Sequence, residues 1–287
     1  MPAIRLKTLA DRSQPLGPGH RMCAGCAITS VVRQILLGSE RPVVVVSATG
    51  CLEVTTSIYP FTAWQVPWLH CAFENAAATA SGVEATCRAL ARQGRLAQEV
   101  NIVVFAGDGG TYDIGLQALS GAWERGHRVL YVCYDNEAYM NTGVQRSSAT
   151  PRGAWTATTP LGRETVGKTR PRKDIIAIAV AHGLPYVAQA APSHWQDLGQ
   201  KARAAFAADG PAFLNVLAPC VPGWRYEPER SIEVARLAVE SRYWPLYEVV
   251  QGQYRLTYQP RRPQPLEAFL AAQGRFQHLL GPEHEAL

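Results

Sequence analysis

Long hydrophobic runs are missing from this sequence of 287 residues. The longest, Val43–Val46 and Ile102–Ala106, fall far short of the roughly 20 residues that a membrane-crossing helix needs, so no membrane span is expected. The first residues, Met1-Pro2-Ala3-Ile4-Arg5-Leu6-Lys7, turn polar before the apolar centre of a secretory signal can form, and the cytoplasm is the expected compartment. Cysteine is scarce and odd in number. Seven thiols in a reducing compartment suit no disulfide framework and turn attention to metal or redox chemistry. Charge of one sign is not concentrated either: against 28 basic and 23 acidic residues, no lysine or arginine block is dense enough to track a nucleic acid, and none is expected as a partner. Also absent is G-x-G-x-x-G, because positions 107–112 read Gly-Asp-Gly-Gly-Thr-Tyr, and so is the P-loop pattern.

What is present is enough apolar character for a substantial core (47% hydrophobic residues) and an alternation of two periodicities. Short β-branched runs, Val43–Ser47, Ile102–Ala106, Val129–Tyr134 and Ala212–Leu217, alternate with helix-period segments at Asn75–Arg92, Ile114–Arg125, Lys173–His182 and Pro192–Ala208. That order predicts an α/β fold. Strands that are apolar almost throughout suit a mostly parallel sheet with helices on both faces. Residues 141–173, rich in Thr, Gly and Pro, read as one long loop. Residues 1–222 read as the main domain, and 223–287 as a C-terminal extension docking on it or on a partner. The extension is expected to hold a helical stretch at Ser231–Glu240 and an amphipathic helix at Leu266–Leu280.

In open parallel sheets, ligands gather at the carboxyl ends of the strands. Here those ends read Ala48-Thr49-Gly50-Cys51, Gly107-Asp108-Gly109-Gly110, Asp135-Asn136-Glu137 and Ala218-Pro219-Cys220. The glycines allow close approach of backbone to a diphosphate, and helix-start amides near Asp113 direct positive charge at it. Asp108 and Asn136, 28 positions apart on successive strand ends, are hard oxygen donors suited to Mg²⁺.

The cysteines divide into two groups. Cys23 and Cys26 form C-x-x-C, Cys51 follows after 24 residues, and Cys220 lies far downstream; all four sit among glycines and prolines in loop-like context. Four thiolates hold either a 4Fe–4S cluster or zinc. Cys71, Cys87 and Cys133 lie inside apolar periodic segments and read as buried, inert thiols.

The Gly-Asp-Gly followed by Asn136 resembles the magnesium-diphosphate motif of thiamine diphosphate enzymes. It implies Mg²⁺ held by Asp108, Asn136 and the carbonyl of Ala138, with Gly107, Gly109 and Gly110 about the diphosphate. Further motifs narrow the likeness: His20-Arg21-Met22-Cys23-Ala24-Gly25-Cys26-Ala27, Tyr59-Pro60-Phe61-Thr62-Ala63-Trp64, Ala72-Phe73-Glu74-Asn75, Tyr139-Met140-Asn141-Thr142-Gly143 and Leu217-Ala218-Pro219-Cys220-Val221-Pro222-Gly223-Trp224. From about Leu16 to Tyr226 the chain resembles the β subunit of 2-oxoacid (pyruvate):ferredoxin oxidoreductases, with Ala27 standing where the family often has glycine.

The resemblance implies one 4Fe–4S cluster on Cys23, Cys26, Cys51 and Cys220 beside thiamine diphosphate, Asn141 near the reacting carbon, and Thr49 and Gly50 either touching the cofactor or orienting Cys51. Coenzyme A is the implied co-substrate, pyruvate the favoured 2-oxoacid and ferredoxin the acceptor. An α subunit would complete the thiamine site. A γ subunit and a ferredoxin-like δ subunit, or fused equivalents, would carry electrons outward, because the C-x₂-C-x₂-C-x₃-C-P run of a ferredoxin module is absent here. The aromatic group Tyr59, Phe61, Trp64 and Trp68 reads as a subunit interface. His20 and His70 receive no role. Two other readings stay open: a non-redox thiamine diphosphate decarboxylase or transferase subunit, and a zinc-stapled assembly subunit.

Overall fold

A computed structural model describes residues 6–162 and 165–281. The polar start at Met1–Arg5 lies outside them. Its centre is one eight-stranded sheet of β1 (Val43–Ala48), β2 (Trp68–Cys71), β3 (Asn101–Gly107), β4 (Leu130–Asp135), β5 (Tyr186–Ala190), β6 (Ala212–Leu217), β7 (Tyr247–Val250) and β8 (Gln253–Leu256). The order across it is β2-β1-β3-β4-β6-β5-β7-β8. All pairs from β2 to β5 are parallel, and only the β5–β7 and β7–β8 pairs are antiparallel. This is the expected α/β fold.

Parallel strands covered on both faces must be apolar on both, and β3, β4 and β6 are buried almost without a break. Alternate residues divide between two cores. Val45, Val103, Phe105 and Val132 face one side, and Val46, Val104, Ala106 and Tyr131 the other. The helix Ala27–Leu36 closes the first side with Ile28, Val31, Val32 and Ile35, at the three- and four-residue spacing that makes one apolar stripe. The helix Ala76–Arg92 closes part of the second with Ala76, Ala77 and Ala80, whose small side chains let backbone lie close to strand.

Strand order reverses between β1 and β3: the chain leaves β1 for β2 on one side and returns to β3 on the other. A crevice opens outside the carboxyl ends at such a switch point. Thr49-Gly50-Cys51 and Gly107-Asp108 are the residues that leave these two strands.

Several expected elements take another form. The helix expected over Leu266–Leu280 breaks into Leu266–Ala271 and a 3₁₀ segment Gly274–Leu279, because the Gln273 amide turns back to Phe269 O (2.7 Å) and Gly274 N–H bonds Arg225 O (3.1 Å). The helix expected from Ile114 starts at Leu116, preceded by a π-turn over Gly109–Asp113. The helix Ala27–Leu36, the edge strand β2, the strand β5 and the β7–β8 hairpin are additions to the expected order. Among the described residues of 141–173 there is no helix or named strand, yet Ser147, Ala149, Thr150, Ala154, Thr156 and Lys168 are buried. Lys168 pins that loop with bonds to Thr150 O, Ser148 O (3.3 Å) and Pro171 O (3.4 Å). After residue 222 the chain adds β7 and β8 to the sheet and a third core around Trp224, Trp244 and Phe269. Among the described residues, no helix is long and apolar enough to cross a membrane.

Phe213 of β6 is fully buried, edge-on to Trp123 at 5.5 Å between ring centroids. Phe213→Ala leaves a cavity at the middle of the sheet and is expected to cost about 3–5 kcal/mol. Urea unfolding checks this as a lowered midpoint with an unchanged slope.

Candidate functional site

The switch-point crevice is an open cleft whose lining includes Thr49, Gly50, Cys51, Gly107, Gly109, Gly110, Asn136, Ala138 and Asn141. Residues far apart in sequence thus meet at one sheet edge. Asp108 lies beneath, fully buried, reached by two donors: Asn136 N–H on Oδ1 (3.3 Å) and the Ser147 hydroxyl on Oδ2. Burial pushes its carboxyl well above the usual carboxylate range, and the charge of Asp135 adds to the rise.

The Asn136 side chain carries the clearest chemical signal. One end of its amide lies 2.8 Å from both Asp108 Oδ1 and Ala138 O; as the nitrogen it donates to both, and turned over it sets a third oxygen beside theirs. Octahedral Mg²⁺ holds oxygens at about 2.0–2.1 Å, which places neighbouring ligands about 3 Å apart. The set Asp108, Asn136 and Ala138 O therefore fits the ion.

Glycine builds the rest of the cradle. A Cβ on Gly109 would lie 2.3 Å from the Tyr139 ring, whose hydroxyl bonds Gly109 O (3.1 Å). One on Gly115 would lie 2.1 Å from Gly110 O. No side chain fits at either point, so the π-turn presents bare backbone to the cleft, the surface a diphosphate requires. Asn141 is exposed near the tip of a tight turn closed by mutual bonds between Tyr139 and Gln145 (2.8 and 3.2 Å).

Cys51 opens the helix Cys51–Thr56 directly after β1; Cys26 and Cys220 occupy the residues just before the helices Ala27–Leu36 and Val221–Trp224; Cys23 is exposed. Burial pushes the thiols of Cys26 and Cys51 up to about 12 and that of Cys220 to about 11, and each is raised further by the charges of others in the set. Such thiols stay protonated unless a cation compensates them. As four soft sulfur donors, the set suits iron–sulfur or zinc chemistry. Among the described residues, no three His, Cys, Asp or Glu side chains are gathered as closely as one metal ion requires. Of the three cysteines expected to be buried, only Cys133 is fully so; Cys71 and Cys87 are half-buried, the first on edge strand β2 and the second toward the open end of the helix Ala76–Arg92. The aromatic group also divides: Trp64 is buried, while Tyr59 and Phe61 stand 94% and 78% exposed.

Several neighbours of the site carry no sequence signal. Ser147 sits in the long loop, and His70 bonds Thr49 Oγ1 at 2.9 Å through Nε2. Behind Asn136, buried Glu137 receives Arg172 (3.0 Å), Arg275 (2.5 Å) and the Tyr243 hydroxyl (2.6 Å), and Asp135 receives Arg172 (2.6 Å) and the Tyr112 hydroxyl (2.7 Å).

Residues 48–216 match the family described as thiamine pyrophosphate enzyme, C-terminal TPP binding domain. The chain is 56% identical over 264 residues to pyruvate synthase subunit PorB of Methanothermobacter thermautotrophicus, covering 92% of this chain and 90% of that one. It is 43% identical to ketoisovalerate oxidoreductase subunit VorB of Pyrococcus horikoshii, over 94% of this chain and 87% of that one. In fold it is similar to a chain of the 2-oxoglutarate:ferredoxin oxidoreductase from Magnetococcus marinus, with TM-score 0.59 and 21% identity over 79% of this chain and 81% of that one.

The elevated Asp108 carboxyl sets a pH dependence. A folded-state value above the unfolded one means that the cation-free native state binds more protons above about pH 4, so its stability falls as pH rises toward neutrality. Asp108→Asn removes the buried charge. The variant is expected to be more stable than the cation-free parent at neutral pH, with a flatter stability profile, and to lose all further stabilisation by Mg²⁺ with thiamine diphosphate. Thermal melts across pH, with and without both, check this.

Proposed function

Because this chain belongs to the pyruvate synthase subunit PorB family, whose members share its thiamine pyrophosphate binding domain, we propose that it carries the thiamine diphosphate and first electron acceptor of a complex oxidising 2-oxoacids. The reaction is CoA-dependent oxidative decarboxylation, of pyruvate before other acids, to acyl-CoA and CO₂ with ferredoxin as acceptor. The observation that carries this reading is the meeting at one cleft of Asn136 and Ala138, with Asp108 buried against Asn136, and Cys51. A non-redox thiamine enzyme has use for the oxygens but none for the thiols.

When bound, thiamine diphosphate supplies the carbon nucleophile and the electron sink that decarboxylation of a 2-oxoacid requires. The residues of this chain hold and orient. Asp108, Asn136 and the Ala138 carbonyl would hold Mg²⁺, and the Ser147 hydroxyl, bonded to Asp108 Oδ2, orients that carboxylate. The backbone of Gly109 and Gly110, continuing from Gly107, receives the diphosphate. Thr49 and Gly50, which line the cleft beside Cys51, would touch the cofactor or orient Cys51. Asn141, at the exposed side of the cleft, donates its amide to the substrate carboxylate or to charge developing beside it.

Cys23, Cys26, Cys51 and Cys220 would hold one 4Fe–4S cluster, whose ferric and ferrous charge would compensate the elevated thiols of Cys26, Cys51 and Cys220. An α subunit completes the thiamine site, and γ and ferredoxin-like δ subunits, or fused equivalents, pass electrons to ferredoxin in the cytoplasm. Greater likeness to a pyruvate synthase subunit than to a ketoisovalerate one supports pyruvate.

The assembled complex is expected to reduce viologen with pyruvate and coenzyme A faster than with branched 2-oxoacids, and this chain alone to be inactive. Asn141→Ala should lower kcat by about 10²–10³ while leaving Mg²⁺-dependent cofactor binding intact. Full turnover by the isolated chain would overturn the split site, and preference for a branched acid would overturn pyruvate.

A further inference from the structure

Tyr134, near the carboxyl end of β4 and opposite Gly107 in register, is 1% exposed, and among the described residues its hydroxyl has no hydrogen-bond partner. An orphaned buried hydroxyl is unusual, because phenylalanine would fill the same space without an unmet donor. Its direction is informative. The ring packs in the first core with Cys51 against it, and the oxygen lies 2.9 Å from where a Gly50 Cβ would sit, so glycine at 50 is what leaves room for it. The hydroxyl therefore ends at the Gly50–Cys51 junction, on the wall of the cleft that all three residues line. Cys51 is the ionisable group whose charge bears most on it, and the unpartnered phenol proton is left for an acceptor there.

We infer that the Tyr134 O–H donates to the Cys51 sulfur when that sulfur ligates the cluster, and thereby sets the cluster's reduction potential. The inference rests on the reading of Cys51 as a cluster ligand. Chemistry favours sulfur as acceptor, since a metal-bound thiolate keeps lone pairs and negative charge that rise when the cluster gains an electron. A donor held there stabilises the reduced state over the oxidised one, and hydrogen bonds to sulfur are among the levers by which proteins tune such clusters. Tyr134 would thus be a positioning and tuning residue, making the cluster a better acceptor of electrons from the cofactor beside it.

The test is Tyr134→Phe in the assembled complex, with Tyr131→Phe, on the opposite face of the same strand, as control. Anaerobic redox titration followed by electron paramagnetic resonance reads the cluster, and titration with thiamine diphosphate and Mg²⁺ reads cofactor binding. Tyr134→Phe is expected to keep cluster and cofactor affinity but to shift the reduction equilibrium about tenfold toward the oxidised form, about 59 mV for one electron. Tyr131→Phe is expected to move neither. A shift under about twofold in Tyr134→Phe overturns the proposal while the cluster reading stands. Cofactor binding weakened about tenfold with the potential unmoved also overturns it, and assigns the hydroxyl to the cofactor. Absence of any cluster signal in the unsubstituted complex refutes both, and is seen before a substitution is made.

Discussion

Three buried carboxylates, close enough to feel one another's charge at the ends of β3 and β4, are the constraint on which the rest of this structure depends. Asp108, Asp135 and Glu137 are all fully buried. Withdrawing a carboxylate from water costs several kcal/mol even after relaxation, and breaking a buried pair costs about 3–5 kcal/mol. The chain meets this with two arginines from distant segments. Arg172, at the end of the long loop, bridges Asp135 and Glu137; Arg275, from the C-terminal 3₁₀ segment, takes the other Glu137 oxygen. Two negative charges and two positive charges close on themselves, and Asp108 is left over.

That closure explains why the loop and the C-terminal segment are ordered at all. The loop has almost no regular structure of its own, but Arg172 and the three carbonyls around Lys168 fix it at both levels of the site. Arg275 also stacks on Trp224 (3.8 Å), whose indole N–H bonds Asn136 O (2.8 Å), and accepts the Trp155 N–H at its own carbonyl (3.1 Å). One buried side chain therefore ties the turn that follows Cys220 to the turn that carries Asn136. Glu137 adopts a left-handed backbone (φ 68°), which a non-glycine residue tolerates only where surroundings over-determine it; five side-chain and backbone partners do so here.

Much of this was legible in the residues, and the boundary of legibility is physical. Buried parallel strands announce themselves as apolar runs, so β1, β3, β4 and β6 could be read directly. The edge strand Trp68–Cys71 is half exposed and short, and Tyr186–Ala190 is interrupted by a glutamine, so neither stands out from a loop. Local chemistry was readable where the donors are few and fixed to strand ends: Asp108, Asn136 and the Gly109 turn are brought to one cleft as expected. The partners that orient or neutralise those groups were not. Ser147, Arg172 and Arg275 act across 39, 37 and 138 residues, distances at which serine and arginine look like any surface residue. Tyr134 hides in an apolar strand where only its oxygen differs from the pattern.

The leftover charge on Asp108 has a consequence for how the site must fill. A diphosphate entering a cleft already floored by an uncompensated carboxylate would meet repulsion that backbone amides of the π-turn offset only in part. A divalent cation entering alone would find three protein oxygens, half of the octahedron it prefers, with water for the rest. Each ligand supplies what the other lacks: the cation cancels the carboxylate for the diphosphate, and the diphosphate completes the cation's shell. Coupling of this kind is reciprocal, so each must raise the affinity of the other by the same factor. The elevated Asp108 carboxyl is the same coupling seen from the protein's side. Burial favours a proton on Asp108, and that proton competes with the cation for the same carboxylate.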